Sequence, residues 1–140
     1  RRTEFIGEFN GINFYDDYGH HPTEIKATTK ALKENTQGKL IVVFQPHRYT
    51  RTRDNFNDLG KSFEYSDLTL ITDIYSAGEK PIPGVSSLMF ESEKIKYVKS
   101  PRMVPPYLKN NISPGDTVLT IGAGDITLLG PQILKYLNEK

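Results

Sequence analysis

The chain has no cysteine. That excludes disulfides and thiolate metal sites, and it fits a cytosolic protein. It also lacks an excess of either charge. Eighteen basic and 17 acidic residues leave a formal net charge of +1, too weak a field to attract nucleic acid or an acidic membrane. Recognition of phosphate or carboxylate must then come from local arginines. No apolar run approaches the ~20 residues of a membrane span, and no signal-peptide pattern opens the chain. A Gly-x-x-x-x-Gly-Lys-Ser/Thr loop is missing too, so these residues by themselves cradle no nucleoside triphosphate in the P-loop manner. Repeats, linkers and low-complexity tracts are absent. At 140 residues the chain has the length of one ordinary domain, long enough to bury a core. It starts at Arg1 rather than Met, from which we expect a piece of a longer polypeptide.

What is present alternates between strand-like and helix-like segments. Runs 3–9 and 12–15 flank Asn10-Gly11, a hairpin signal that predicts an antiparallel pair. Pro22 suits a first helical position, and Ile25, Thr28 and Leu32 recur at helical spacing, so 23–33 reads as a helix. Leu40-Ile41-Val42-Val43-Phe44 is the continuous apolar run of a buried parallel strand. A second helix is predicted over 53–64, with Phe56, Leu59 and Phe63 on one face, then a strand over 68–72. A long Gly- and Pro-containing loop follows, 73–84. Beyond it we expect a short helix in 85–93, a short strand at 96–98, a helix over 104–111, a strand over 116–121 and a last helix over 126–137, entered or interrupted by Gly130-Pro131. This order predicts an α/β fold with a mixed, mostly parallel sheet of about six strands and one antiparallel edge.

Two polar blocks stand out. Asp16-Asp17-Tyr18-Gly19-His20-His21-Pro22-Thr23-Glu24 follows the second strand-like run, and Gln45-Pro46-His47-Arg48-Tyr49-Thr50-Arg51-Thr52-Arg53 follows the third. In an open α/β sheet such junctions are the carboxyl ends of strands, where ligands bind. Arg48 and Arg51 are three apart, so a helical turn puts both guanidiniums on one face, suited to a planar carboxylate or a phosphate. The competing reading is a solvated helix start with ordinary surface arginines, and Arg53 beside Asp54 belongs to it. Asp16, Asp17, His20 and His21 include metal-ligand types, but adjacent side chains point apart, and we expect no metal site there. Ordinary capping of the helix that follows is the plain alternative, and a substrate or nucleotide contact is the functional one. Gly122-Ala123-Gly124-Asp125 looks like the start of a dinucleotide fingerprint, yet Thr127 stands where a third small residue is needed, so tight turning is explanation enough.

With Ile74-Tyr75-Ser76-Ala77-Gly78-Glu79-Lys80-Pro81-Ile82-Pro83-Gly84 and Gly122-Ala123-Gly124-Asp125-Ile126, these blocks closely resemble, in order, the C-terminal domain of the Mur ligases. The resemblance spans nearly the whole chain. It points to the branch that adds L-alanine to UDP-N-acetylmuramate. The related murein tripeptide recycling ligases usually carry Phe-Ala where this chain has Tyr18-Gly19.

The resemblance implies a Rossmann-like domain with helices on both faces of the sheet, residues 1–140, from a three-domain cytoplasmic bacterial enzyme of peptidoglycan synthesis. Its other two domains, one for the UDP-sugar and one a P-loop ATPase, would lie in the same polypeptide. The implied reaction uses ATP and Mg2+. The lactyl carboxylate of UDP-N-acetylmuramate is phosphorylated, the amine of L-alanine attacks the acyl phosphate, and phosphate leaves. Carried over by position, Arg48 and Arg51 match the amino-acid carboxylate grip. Tyr18 and His20 match the lining of the alanine and muramoyl pocket. Asp17 and Arg2 match residues facing the nucleotide, and Asp17 and His20 are the candidate catalytic pair. The isolated domain is expected to fold without ligase or ATPase activity and without a cofactor of its own; no nucleic acid or membrane partner is expected. The alternatives are a stand-alone Rossmann-like module that binds a nucleotide or anion without catalysis, and a metal-dependent hydrolase built on Asp16, Asp17, His20 and His21.

Overall fold

The computed structural model, which describes residues 3–139, contains one six-stranded sheet. β1 (Glu4–Phe9) and β2 (Ile12–Asp17) form the expected hairpin, and Asn10 and Gly11 at its turn take positive φ angles of 52° and 83°. β3 (Leu40–Phe44), β4 (Leu68–Ile71), β5 (Ile95–Tyr97) and β6 (Thr117–Ile121) complete the sheet in the order β1-β2-β6-β3-β4-β5. Every pairing except β1 with β2 is parallel. β6, last in the chain, lies between β2 and β3, so the strand order reverses there. The parallel register sets Asp17, Ile121 and Phe44 level with one another at the carboxyl edge.

Alternation along buried strands divides the core into two layers. Leu40, Val42 and Phe44 of β3 pack with Ile25 of α1 (Pro22–Glu34), Leu59 of α3 (Phe56–Lys61) and Phe63. Ile41 and Val43 pack in the opposite layer with Leu108 of α4 (Val104–Lys109) and with Leu129 and Ile133 of α5 (Leu129–Asn138). All five residues of β3 and of β6 are buried, which explains why those two segments read as unbroken strands. None of the helices among the described residues is long and apolar enough to cross a membrane.

The structure corrects the expected elements in four places. β2 runs to Asp17, two residues past the predicted end, because Asp16 and Asp17 pair with Thr120 and Ile121 of β6. Carboxylates are poor strand formers by propensity, and here tertiary partners override it. The helix predicted over 53–64 is two short ones, α2 (Tyr49–Asp54) and α3, broken at Asn55, whose side-chain amide donates to the Arg51 carbonyl at 3.0 Å. Phe56 packs on Phe90 but stays 36% exposed, whereas Leu59 and Phe63 are buried. In place of a helix in 85–93 there is a single 3-10 turn, Ser87–Phe90, and another such turn, Asp125–Leu128, leads into α5.

Gly122, directly after β6, has φ 151°, and a Cβ there would lie 2.9 Å from the Gln45 backbone oxygen and 2.9 Å from Ile126 Cγ2. Gly122→Ala is expected to destabilise the fold by about 2–3 kcal/mol. The check is a lower denaturant midpoint at unchanged m-value; a variant as stable as the parent would contradict this packing.

Candidate functional site

Three loops meet at the carboxyl edge, because β2, β6 and β3 end in register there. The first begins with two buried carboxylates. Asp16 accepts hydrogen bonds from Thr120 Oγ1 at 2.6 Å and from Thr127 Oγ1 at 2.7 Å, tying β2 to β6 and to the turn before α5. Asp17, 3% exposed, accepts from the Gly19 backbone N–H at 2.7 Å, Thr3 Oγ1 at 2.5 Å and Thr28 Oγ1 at 3.2 Å. Both therefore hold the loop from within. Gly19 must be small here, since a Cβ would meet Asp17 Oδ1 at 2.9 Å. Glu24 closes the loop, its Oε1 accepting from the backbone N–H groups of His20 at 3.1 Å and His21 at 3.2 Å.

This bracing presents Tyr18, 58% exposed, and the half-buried His20. His20 Nδ1–H donates to the Tyr18 carbonyl at 3.3 Å, so the neutral ring carries its lone pair on Nε2. Burial, with Arg51 and His21 nearby, holds the His20 pKa below its ordinary value.

The second loop brings the arginine block to the same place. The ring centroids of His20 and His47 are 6.1 Å apart. Arg51 Nη1 donates to His47 Nδ1 at 3.2 Å, and His47 stacks on Tyr75 with centroids 5.5 Å apart and planes at 18°. Burial first, then Arg51, lowers the His47 pKa as well. Arg48 is exposed and directly precedes α2, with φ 76° and ψ 138°, a backbone region that side-chain-bearing residues rarely adopt. Its N–H donates to the Tyr75 carbonyl at 2.7 Å. The hydrogen bond from Thr50 Oγ1, together with the Tyr49 and Thr50 backbone amides and the Arg48 guanidinium, keeps Glu79 in its charged form below the usual carboxylate range. Arg53 pairs with neighbouring Asp54 at 2.8 Å on the surface, outside this cluster.

The third loop contributes packing. The Gln45 side chain donates to Asp125 Oδ1 at 3.1 Å and accepts from the Ile126 N–H at 3.2 Å. A Cβ on Gly124 would meet Gln45 Oε1 at 2.8 Å and Tyr75 Cγ at 2.9 Å. Close approach accounts for these glycines. Arg2 lies outside the described residues. Sequence reasoning passed over His47 as a site residue although it stands in the arginine block, and passed over Glu79, whose partners lie 29 and 30 residues upstream. Among the described residues no three His, Asp or Glu side chains converge as metal ligands.

The site is thus a concentration of arginine and imidazole at the switch point of a doubly covered α/β sheet, the arrangement of a Rossmann-like domain. A family profile described as "Mur ligase, glutamate ligase domain" matches residues 1–124, and the chain belongs to that family. It is similar to two proteins named UDP-N-acetylmuramate–L-alanine ligase. The one from Desulforamulus reducens is 43% identical over 100% of this chain and 32% of its own length. The one from Pelotomaculum thermopropionicum is 47% identical over 99% and 32%. The chain therefore spans about a third of the length of these curated relatives. Its fold is shared with a murein peptide ligase from Psychrobacter arcticus, at TM-score 0.77 and 20% identity over 100% of this chain and 30% of that one.

The lowered pKa values of His20 and His47 fix a sign. In the window between each lowered value and the ordinary 6.5, the unfolded chain binds more protons than the folded one. Stability is therefore expected to fall as pH drops through that window. Both imidazoles should titrate below 6.5 when followed by NMR, and a midpoint at or above 6.5 for His47 would contradict its burial beside Arg51.

Proposed function

We propose that this chain is the amino-acid-binding, C-terminal domain of an ATP-dependent ligase that joins L-alanine to the lactyl carboxylate of UDP-N-acetylmuramate in peptidoglycan synthesis. The remaining length of the curated relatives leaves room for the UDP-sugar domain and the P-loop domain that the reaction requires. A cytoplasmic location follows from the two nucleotide substrates. The carrying observation is the convergence of Arg51, His47 and His20 beside Arg48, in a chain 43–47% identical to relatives of that name.

In this reading Arg48 and Arg51 receive the alanine carboxylate, with His47 holding Arg51 in place. The alanine ammonium must lose a proton before its nitrogen can attack. His20, neutral and with its lone pair on Nε2, is the acceptor, and Tyr18 lines the pocket beside it. Asp17 acts through the loop, since its oxygens already receive three donors. The nucleotide-facing role that the family resemblance gives to Asp17 would use the acceptor capacity that these three donors leave. ATP phosphorylates the lactyl carboxylate, the alanine nitrogen displaces phosphate from the acyl phosphate, and an amide, ADP and phosphate result. The residues described do not fit the Mg2+ that accompanies ATP. Asp16 and Asp17 are engaged by hydroxyl and amide donors, so the ion and the triphosphate cradle are assigned to the rest of the polypeptide.

In the full-length ligase, Arg48→Ala or Arg51→Ala is expected to raise the KM for alanine strongly and to change that for ATP much less. Loss of one charge-assisted partner is worth about 2–4 kcal/mol, or about 30- to 1,000-fold in kcat/KM. Arg→Lys should recover part of this, since an ammonium lacks the planar fork. Arg53→Ala should be nearly silent. An unchanged alanine KM in both arginine variants would overturn the reading.

A further inference from the structure

The loop 73–84 has no regular secondary structure, yet it is fastened to the arginine block at two points. Near its start, the Tyr75 N–H donates to the Pro46 carbonyl at 2.8 Å and the Tyr75 carbonyl accepts from the Arg48 N–H at 2.7 Å. Farther along, the Glu79 carboxylate reaches back to α2. Oε1 accepts from the backbone N–H groups of Tyr49 at 2.5 Å and Thr50 at 3.1 Å, and Oε2 accepts from Thr50 Oγ1 at 2.5 Å. Oε2 also lies 3.9 Å from Arg48 Nε. Glu79 is only 20% exposed at its side chain, whereas the residues on either side, Gly78 and Lys80, are exposed.

These contacts meet a local need. Arg48 sits at an unfavourable positive φ, and the helix that starts at Tyr49 has only six residues, too few to hold its own first turn. Nothing inside the second block supplies an acceptor for the amides of Tyr49 and Thr50; Glu79 does. Its Oε2 approaches the Nε of Arg48 at an ion-pair distance of 3.9 Å, longer than a hydrogen bond.

We propose that Glu79 is a positioning residue for amino-acid binding: from the loop 73–84 it fixes the start of α2 and the direction of the Arg48 guanidinium. The inference rests on the reading that Arg48 and Arg51 hold the alanine carboxylate. A purely structural cap would change stability and every substrate alike, whereas a positioning residue acts on alanine selectively.

The test compares alanine, ATP and UDP-N-acetylmuramate kinetics of the full-length ligase with Glu79→Ala, Glu79→Gln, Thr50→Val and Arg48→Ala, beside melting temperatures. Glu79→Ala is expected to raise the alanine KM about tenfold or more, with the other two KM values within about twofold. Glu79→Gln keeps an acceptor for the Tyr49 and Thr50 amides but loses the charge beside Arg48, so it should recover part of the loss. Thr50→Val should raise the alanine KM to a smaller extent. Should Glu79→Ala fail to fold, the near-isosteric Glu79→Gln carries the test through the same selective rise. Equal rises in all three KM values, or an unchanged alanine KM in the Glu79 variants beside an affected Arg48→Ala, would overturn the inference and leave the carboxylate grip standing. An unchanged alanine KM in Arg48→Ala would overturn the grip and, with it, this role for Glu79.

Discussion

Two carboxylates buried side by side at the end of β2 hold the functional edge together. A buried carboxylate is costly unless donors surround it, and the donors of Asp16 and Asp17 come from Thr3 ahead of β1, from β6, α1, the turn before α5 and the loop that follows the aspartates. Each donor fixes one more segment to the same point. Asp16 joins neighbouring strands; Asp17 sets the path of Gly19, and through it the height of Tyr18 and His20 above the sheet. With that edge fixed, β3 delivers His47 and Arg51 at the same level, and the two blocks face each other across β6.

The electrostatics of the edge follow from this arrangement. The acidic groups of the first block turn inward to hydroxyls and amides, while the basic groups of the second remain half-buried or exposed. In a chain of nearly neutral net charge, the arginines are thereby the charged side chains of the two blocks left most accessible at this edge. Burial first, and Arg51 beside His47 and near His20 second, hold both imidazole pKa values below the ordinary 6.5. A neutral imidazole next to a carboxylate-binding arginine can take a proton from the ammonium of an amino acid whose carboxylate the arginine holds. In the proposed reading the same arginine serves binding directly and proton transfer through its neighbour.

The loop 73–84 completes the site in a way that backbone regularity does not reveal. Tyr75 stacks on His47, its ring packs against Gly124, and its backbone pairs with both Pro46 and Arg48. Glu79 anchors the first turn of a helix too short to stand by itself. A segment with little packing of its own is ordered by the functional residues it supports, so order in the loop and geometry of the arginines are one property.

The sequence by itself determined the sheet and its sense. The hairpin at Asn10-Gly11, the unbroken apolar run of β3, and the alternation of strands with helices depend on local periodicity, which any reader of the chain can count. It also determined the family, because four polar blocks keep their order. What only tertiary structure decided is where polar side chains point. Asp16 and Asp17 read as loop residues because no local rule anticipates carboxylates in a strand; the side-chain partners of Asp16, Thr120 and Thr127, are more than 100 residues away. The helix predicted over 53–64 begins instead at Tyr49, because Glu79 of a distant loop supplies its acceptors. Hydrogen bonds between distant segments leave no period in a sequence, and this site is made of them.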